Sequence, residues 1–253
     1  MQLRTLLALL CCAAGLTTAA RAATTVNAGT VSNVTGPGSL DFTNNVYAVR
    51  FNGPALVVNG VTFSPDGVAP QGAAPAGFSS VGPQLVTDWQ TKPEFGGTAD
   101  DNNLEEIYSD IRWTNAAVDP PLQANMNVTP GQQYRLQILF YANNATETRI
   151  WDIGVEGAIV VDNITSRGVD TGGGPPAYSP NLGVVYSYDF VAPDAQVNVV
   201  MGQLGGVDPG FGPGVDRNAI WAGIMLSAIP EPSTAMLGGV AALALLRRRR
   251  SRF

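Results

Sequence analysis

The sequence contains no histidine, and its only cysteines, Cys11 and Cys12, stand near its start. Without histidine there is no Ser-His-Asp or Cys-His nucleophile pair and no His-bearing zinc site. With both cysteines inside a leader, the mature chain has neither a disulfide framework nor a catalytic thiolate. Charge is scarce as well. Asp, Glu, Lys and Arg make up 13% of the 253 residues, about half the share usual in soluble proteins. Basic residues are scarcest in the interior: Arg4, Arg21, Arg247, Arg248, Arg249, Arg250 and Arg252 lie at the ends. That leaves seven basic against 19 acidic residues over positions 23–229, a net charge of −12. Such a surface repels phosphate backbones, which excludes nucleic acid as a partner. What the chain does have is 29 Gly and 18 Pro, with much Asn, Thr and Val. This is the composition of short strands joined by tight turns, not of long helices.

Both ends read as addresses. Residues 1–22 carry Arg4, an apolar stretch from Leu6 to Leu16, and Ala20-Arg21-Ala22 ahead of Ala23. This is the layout of a cleaved secretory signal peptide, with Ala23 the first mature residue. Neither cysteine follows the small residue of a lipobox, and the apolar stretch is too short for a membrane-spanning helix. At the other end, Pro230-Glu231-Pro232 precedes an apolar run from Thr234 to Leu246 and the cluster Arg247-Arg248-Arg249-Arg250. These three parts in this order resemble the PEP-CTERM sorting signal of Gram-negative bacteria with exopolysaccharide-rich envelopes. The resemblance implies an exosortase partner that recognises the Pro-Glu-Pro segment and removes the tail, with transient insertion into the inner membrane. The arrangement has a physical logic. The Arg cluster stays cytoplasmic, and the proline-flanked segment, unable to be helical, is presented on the other side. The 13 residues of the run span about 20 Å as a helix, short of a hydrocarbon core of roughly 30 Å. A marginal span suits a temporary signal better than a permanent anchor.

Between the ends, residues 23–229 read as one all-β domain, a jelly-roll β-sandwich with one short helix. Tyr134, Leu136, Ile138 and Phe140 line one strand face. Trp151, Ile153 and Val155 share a face. Val184, Tyr186, Tyr188 and Phe190 alternate with Val185, Ser187, Asp189 and Val191. Further strands are expected over 46–52, 55–63 with a turn at Asn59-Gly60, 158–162, 196–204 and 219–228. Leu104, Ile107, Tyr108 and Ile111 fall on one helical stripe, with Asn102 as N-cap and Glu105 three residues on. The helix is expected across one end or edge of the sandwich. Residues 64–100, Gly168 to Pro180 and Gly205 to Asp216 read as long loops. The segment Val128-Thr129-Pro130-Gly131, Tyr134-x-Leu136-x-x-x-Phe140 and Arg149-x-x-Asp152-Ile153-x-Val155-x-Gly157 resembles malectin-like and related galactose-binding-like jelly rolls. That resemblance implies a sugar-binding fold but carries over no binding residue.

The functional expectation is a non-catalytic surface or extracellular protein that binds carbohydrate, in particular exopolysaccharide. The alternatives are a structural matrix or adhesive protein that contacts other proteins, and a carboxylate-based hydrolase. Trp89, Trp113 and Tyr178 stand in or beside irregular segments and are the candidate sugar-stacking aromatics. Trp151 and Trp221 belong to strand cores. Asp100, Asp101 and Asn103 offer hard oxygen ligands of the kind calcium takes, without EF-hand spacing. A helix N-terminus accounts for such acids equally well, and no metal or other cofactor is expected. Gly172-Gly173-Gly174 lacks the Lys and helix of a phosphate loop.

The sorting reading predicts the mass of the protein collected outside the cells. It begins near Ala23 and ends in the Pro230-Glu231-Pro232 region. An intact mass that still includes Thr234 to Phe253 would overturn it.

Overall fold

The computed structural model describes residues 28–68, 71–89, 92–141, 149–169, 182–205 and 216–231. The leader with Ala20, Ala22 and Ala23, the candidate Tyr178, Pro232 and Arg247 to Arg250 lie outside the described residues, as do most of the two glycine-rich loops after Gly168 and Gly205. The strands in chain order are β1 (Thr30–Val34), β2 (Asn45–Arg50), β3 (Leu56–Val58), β4 (Val61–Pro65), β5 (Phe78–Val81), β6 (Gln84–Val86), β7 (Ile111–Trp113) and β8 (Leu122–Asn127). They continue with β9 (Gln133–Phe140), β10 (Ile150–Val155), β11 (Ala158–Thr165), β12 (Gly168–Val169), β13 (Gly183–Val191), β14 (Gln196–Gly202), β15 (Ile220–Trp221) and β16 (Gly223–Ala228). One α-helix, α1 (Ala99–Ser109), stands between β6 and β7.

The strands form a seven-stranded sheet in the order β1-β13-β9-β16-β2-β4-β3 and a six-stranded sheet in the order β12-β11-β10-β14-β8-β5. A small third sheet, β15-β7-β6, closes one end. The pairing of β2 with β4 is parallel; the long central ladders are antiparallel. The two large sheets pack face to face over one apolar core. Phe140 of β9 meets Trp151 of β10 edge to face at 5.3 Å, and Tyr47 of β2 meets Phe78 of β5 at 6.2 Å. This is the all-β sandwich that the alternation in β9, β10 and β13 predicts. At the β3–β4 hairpin, Asn59 and Gly60 have φ of 48° and 75°, as a two-residue hairpin turn with a left-handed centre requires.

The helix differs at its start from the expectation. Thr98, not Asn102, is the N-cap: its side chain accepts from the Asp101 N–H, and the Asp101 carboxylate accepts from the Thr98 N–H. The box begins four residues early because Ala99 to Asn102 are helical too, and Asp101 serves the reciprocal role as well as Glu would. Of the predicted stripe, Leu104, Ile107 and Tyr108 are buried on the helix, whereas Ile111, also buried, lies beyond its end as the first residue of β7. Tyr108 donates its hydroxyl to the Val184 carbonyl at 3.1 Å, which lays the helix across one end of the seven-stranded sheet.

Residues 64–100 are more ordered than their composition suggests, since β5 and β6 lie within them. What fixes this stretch is buried charge. Arg112 of β7 is 1% exposed and pairs through two nitrogens with Asp66, which is 0% exposed at its side chain. It also donates to the Gly82 carbonyl at 3.1 Å. Arg50 of β2 donates to Asp110 at 2.6 Å and to the Pro54 and Glu106 carbonyls. Burial pushes the Arg50 guanidinium below its ordinary value and the Asp110 carboxyl above its own, while their mutual attraction opposes both shifts.

Removing one partner from such a pair strands the other charge away from water. Arg112→Met should therefore cost about 3–5 kcal/mol of stability. Arg135→Met, which breaks half-exposed pairs, should cost about 1 kcal/mol or less. Urea unfolding of both variants measures the contrast, and equal losses would contradict this account of the core.

Candidate functional site

The outward residues of β9 and β13 form a polar groove of about 470 Å³ on the seven-stranded sheet. Its floor follows from register. Arg135 lies directly opposite Asp189, and Gln137 lies opposite Ser187, which in turn faces Thr30 of β1. Opposed residues of antiparallel strands share a face, so the same alternation that buries Tyr134, Leu136 and Ile138 turns Arg135 and Gln137 to the other face, where Gln137 is buried beneath the Asp41 loop. The wall is the loop after β1. Asp41 is set there by its own N–H, which donates to Gln137 Oε1 at 3.2 Å, and by the Thr43 N–H, which donates to Asp41 Oδ1 at 2.9 Å. Tyr188, half-buried, completes the lining with Gly29 and Ser39.

Arg135 is the hub of the groove. Its Nε and Nη2 donate to the two oxygens of Asp189 at 2.8 and 2.9 Å, a bidentate pair, and its Nη1 donates to Asp41 Oδ2 at 2.9 Å. The three side chains are between about a third and two fifths exposed. Partial burial works to raise the Asp41 carboxyl, but the Thr43 hydrogen bonds and the Arg135 charge outweigh it and hold the group below its ordinary value. Arg135 is correspondingly raised, chiefly by its bonds to Asp189. The groove thus presents carboxylate oxygens, a guanidinium, an amide and hydroxyls, fixed by one another.

Two of the aromatic candidates, Trp89 and Trp113, lie elsewhere. Trp89 is 9% exposed and belongs to the core; its N–H donates to the Ser109 carbonyl at the end of α1. Trp113 ends β7 and is half-buried against the same core. The fold does bring the two together, around a third residue. The Arg149 guanidinium lies 5.2 Å from the Trp89 ring centre and 5.7 Å from that of Trp113. The chain's own cation therefore covers the indole faces that a sugar ring would stack on. Asp216 adds an oxygen 3.4 Å from Arg149 Nε. Asp152, three residues on, is buried and accepts the N–H groups of Asn163, Leu204 and Gly205. The Arg149-x-x-Asp152 motif thus acts as a pair of staples between strands and loops.

Two of the three residues considered for calcium, Asp101 and Asn103, have structural roles, and Asp100 lies in the first turn of α1. Asp101 caps the helix, and Asn103 Nδ2 donates to the Val57 carbonyl at 2.8 Å. Among the described residues, the carboxylates of Asp88, Glu106 and Asp110 come within 4.8 Å of one another. Cations of the chain already serve two of the three: Arg50 holds Asp110, and Lys92 Nζ lies 3.4 Å from Glu106.

The groove residues escaped the sequence reading although their alternation was in it. The signal available was an arginine and an aspartate outward on two neighbouring strands. Their register, and the Asp41 loop that closes the wall, depend on strand pairing over 94 and 54 residues.

Against known proteins, residues 228–250 match the PEP-CTERM protein-sorting motif. The chain is therefore an exported protein with a C-terminal sorting signal. Pro230 and Glu231 are exposed, directly after β16. No curated protein matches the sequence. Among solved structures, the ANX2 ectodomain from Arabidopsis thaliana is similar at 12% identity and a TM-score of 0.48, over 74% of this chain and 50% of that one. The extracellular domain of ANXUR1 from the same plant gives 11% and 0.47, over 74% and 49%. The Bacteroides uniformis beta-glucuronidase gives 16% and 0.46, over 73% of this chain and only 18% of its own. Among the described residues, no helix is long and apolar enough to cross a membrane.

With Asp101, Glu105, Glu106 and Asp110 all holding partners within the chain, chelator should leave the melting temperature unchanged. A large drop that calcium reverses would assign a metal to the Asp88–Glu106–Asp110 cluster.

Proposed function

We propose that the domain is a non-catalytic carbohydrate-binding module, held outside a Gram-negative cell and associated with its exopolysaccharide, and that the groove around Arg135 receives the glycan. The single observation that carries this reading is the pre-arranged set of donors and acceptors on Arg135, Asp41 and Asp189. A sugar hydroxyl is both a donor and an acceptor, and a carboxylate fixed by arginine accepts such donors without rearranging. The volume falls within the roughly 300–1,000 Å³ usual for small-ligand clefts.

A non-catalytic role fits the electrostatics. Hydrolysis of a glycoside by two carboxyls needs one that stays protonated as the acid. Asp41 is shifted the other way. Asp110 is shifted upward but is buried in its pair with Arg50, at the helix end of the sandwich. An exosortase that releases the tail in the Pro230-Glu231-Pro232 region would deliver the domain to the surface.

A glycan panel titrated against the 23–229 fragment tests the reading. Asp189→Asn and Asp41→Asn should each weaken binding about tenfold, the loss of roughly 1.4 kcal/mol expected for a hydrogen bond to a charged group. The melting temperature should move little, since both side chains are partly exposed. Trp113→Ala should leave affinity intact. If Trp113→Ala abolishes binding and the aspartate variants do not, the site moves to the Arg149 end. If no glycan binds the wild type at millimolar concentration, a structural or adhesive role replaces this one.

A further inference from the structure

The groove has a charge balance that bears on which glycan it takes. Arg135 is the only cation among its lining residues, and both flanking acids already hold it. Of its five N–H donors, three are directed at Asp41 and Asp189, which leaves two for a ligand. The remaining polar side chains, Thr30, Ser39, Gln137 and Ser187, are uncharged. One cation against two anions leaves the site with a net negative charge, within a domain whose interior residues sum to −12.

We propose that this groove selects uncharged glycans and excludes those that carry uronate, sulfate or phosphate groups. The inference rests on the carbohydrate reading above and specifies its ligand class. An anionic sugar meets two obstacles. To use Arg135 it must draw the guanidinium away from a bidentate partner, losing charge-assisted bonds that are about twice as strong as neutral ones. If it leaves Arg135 in place, it lies beside Asp41 and Asp189 as a like charge, and the acidic surface disfavours its approach. A neutral sugar meets neither. Its hydroxyls donate to the carboxylate and Ser oxygens and accept from the two free guanidinium hydrogens. Because Asp41 is held below its ordinary value, the arrangement persists at mildly acidic pH.

The test pairs each neutral polysaccharide with its own carboxymethylated derivative and measures binding to the full chain in mild detergent. The neutral form should bind at least tenfold more tightly than its derivative, with little dependence on salt, because no ion pair forms with the ligand. The double variant Asp41→Asn/Asp189→Asn frees Arg135. It should bind the neutral form more weakly and the carboxymethylated form more tightly, reversing the preference. Circular dichroism melting confirms that the variant is folded; if it is not, Asp189→Asn alone should narrow the preference in the same direction. Carboxymethylated glycans that bind the wild type as well as the neutral ones overturn the charge selection and leave the glycan reading standing. No binding by either form overturns the glycan reading, and the selection with it.

Discussion

The burial of two arginine–aspartate pairs is the constraint on which the irregular half of this domain depends. Arg112 and Asp66 lie out of reach of water, and so does Arg50 beside Asp110. Charges in that position are costly unless their hydrogen-bonding groups are matched by partners. The fold supplies most of them from the carbonyls of Gly82, Val68 and Pro54, in main chain that has little else to hold it, and of Glu106 in α1. Satisfying the arginines and ordering the Gly- and Pro-rich stretch before α1 are therefore one event. That stretch then carries β5 onto the edge of the six-stranded sheet and β6 onto β7. It also places Trp89 under the end of α1.

The regular half needs no such device, and it is the part that could be read directly. Strands β9, β10, β13 and β16 are rich in Val, Ile, Leu, Tyr and Phe, and a period of two in such residues has one solution on a buried sheet. Strand β8 was not read although Leu122, Ala124 and Met126 alternate with polar residues and all three are buried. Ala, Asn and Met have weak strand preference, so the segment becomes a strand through its partners β5 and β14 on either side. The same holds for β5 and β6 within residues 64–100. The N-cap was misplaced because several residues before the apolar stripe can cap, and the choice is settled by where the chain turns out of the helix at Thr98.

The candidate site divides along the same line. Trp89 and Trp113 stood out because large aromatics near irregular chain are conspicuous, and the fold does converge on them. What composition could not convey was that Arg149 from β10's bridge to Asp216 fills the space between the rings. A cation from the chain converts two would-be stacking platforms into an internal brace. The groove around Arg135 was inconspicuous for the opposite reason. Its charged floor is made of ordinary polar residues of strands, and only the pairing of β9 with β13 and the Asx turn at Asp41 assemble the site. Ligand surfaces on sheets are hard to read for this reason: their chemistry is distributed one residue per strand.

The location of the sorting signal follows from the sheet as well. The matched motif begins at Ala228, the last residue of β16, a strand flanked by β9 and β2 in the middle of the seven-stranded sheet. Ile229 is still tied at both ends of its peptide unit: its N–H donates to the Gln133 carbonyl, and its carbonyl accepts from Gln132 Nε2. No flexible linker separates domain from signal, and Pro230, which lacks an N–H, is where further strand pairing stops. A cut beyond Ile229 removes nothing the sheet depends on, since the last ladder bonds lie upstream of it. Ser227, two residues before Ile229, lies opposite Arg135. One strand thus supports the hub of the groove and then leads directly into the sorting motif, so that removal of the tail would leave the groove as it was folded.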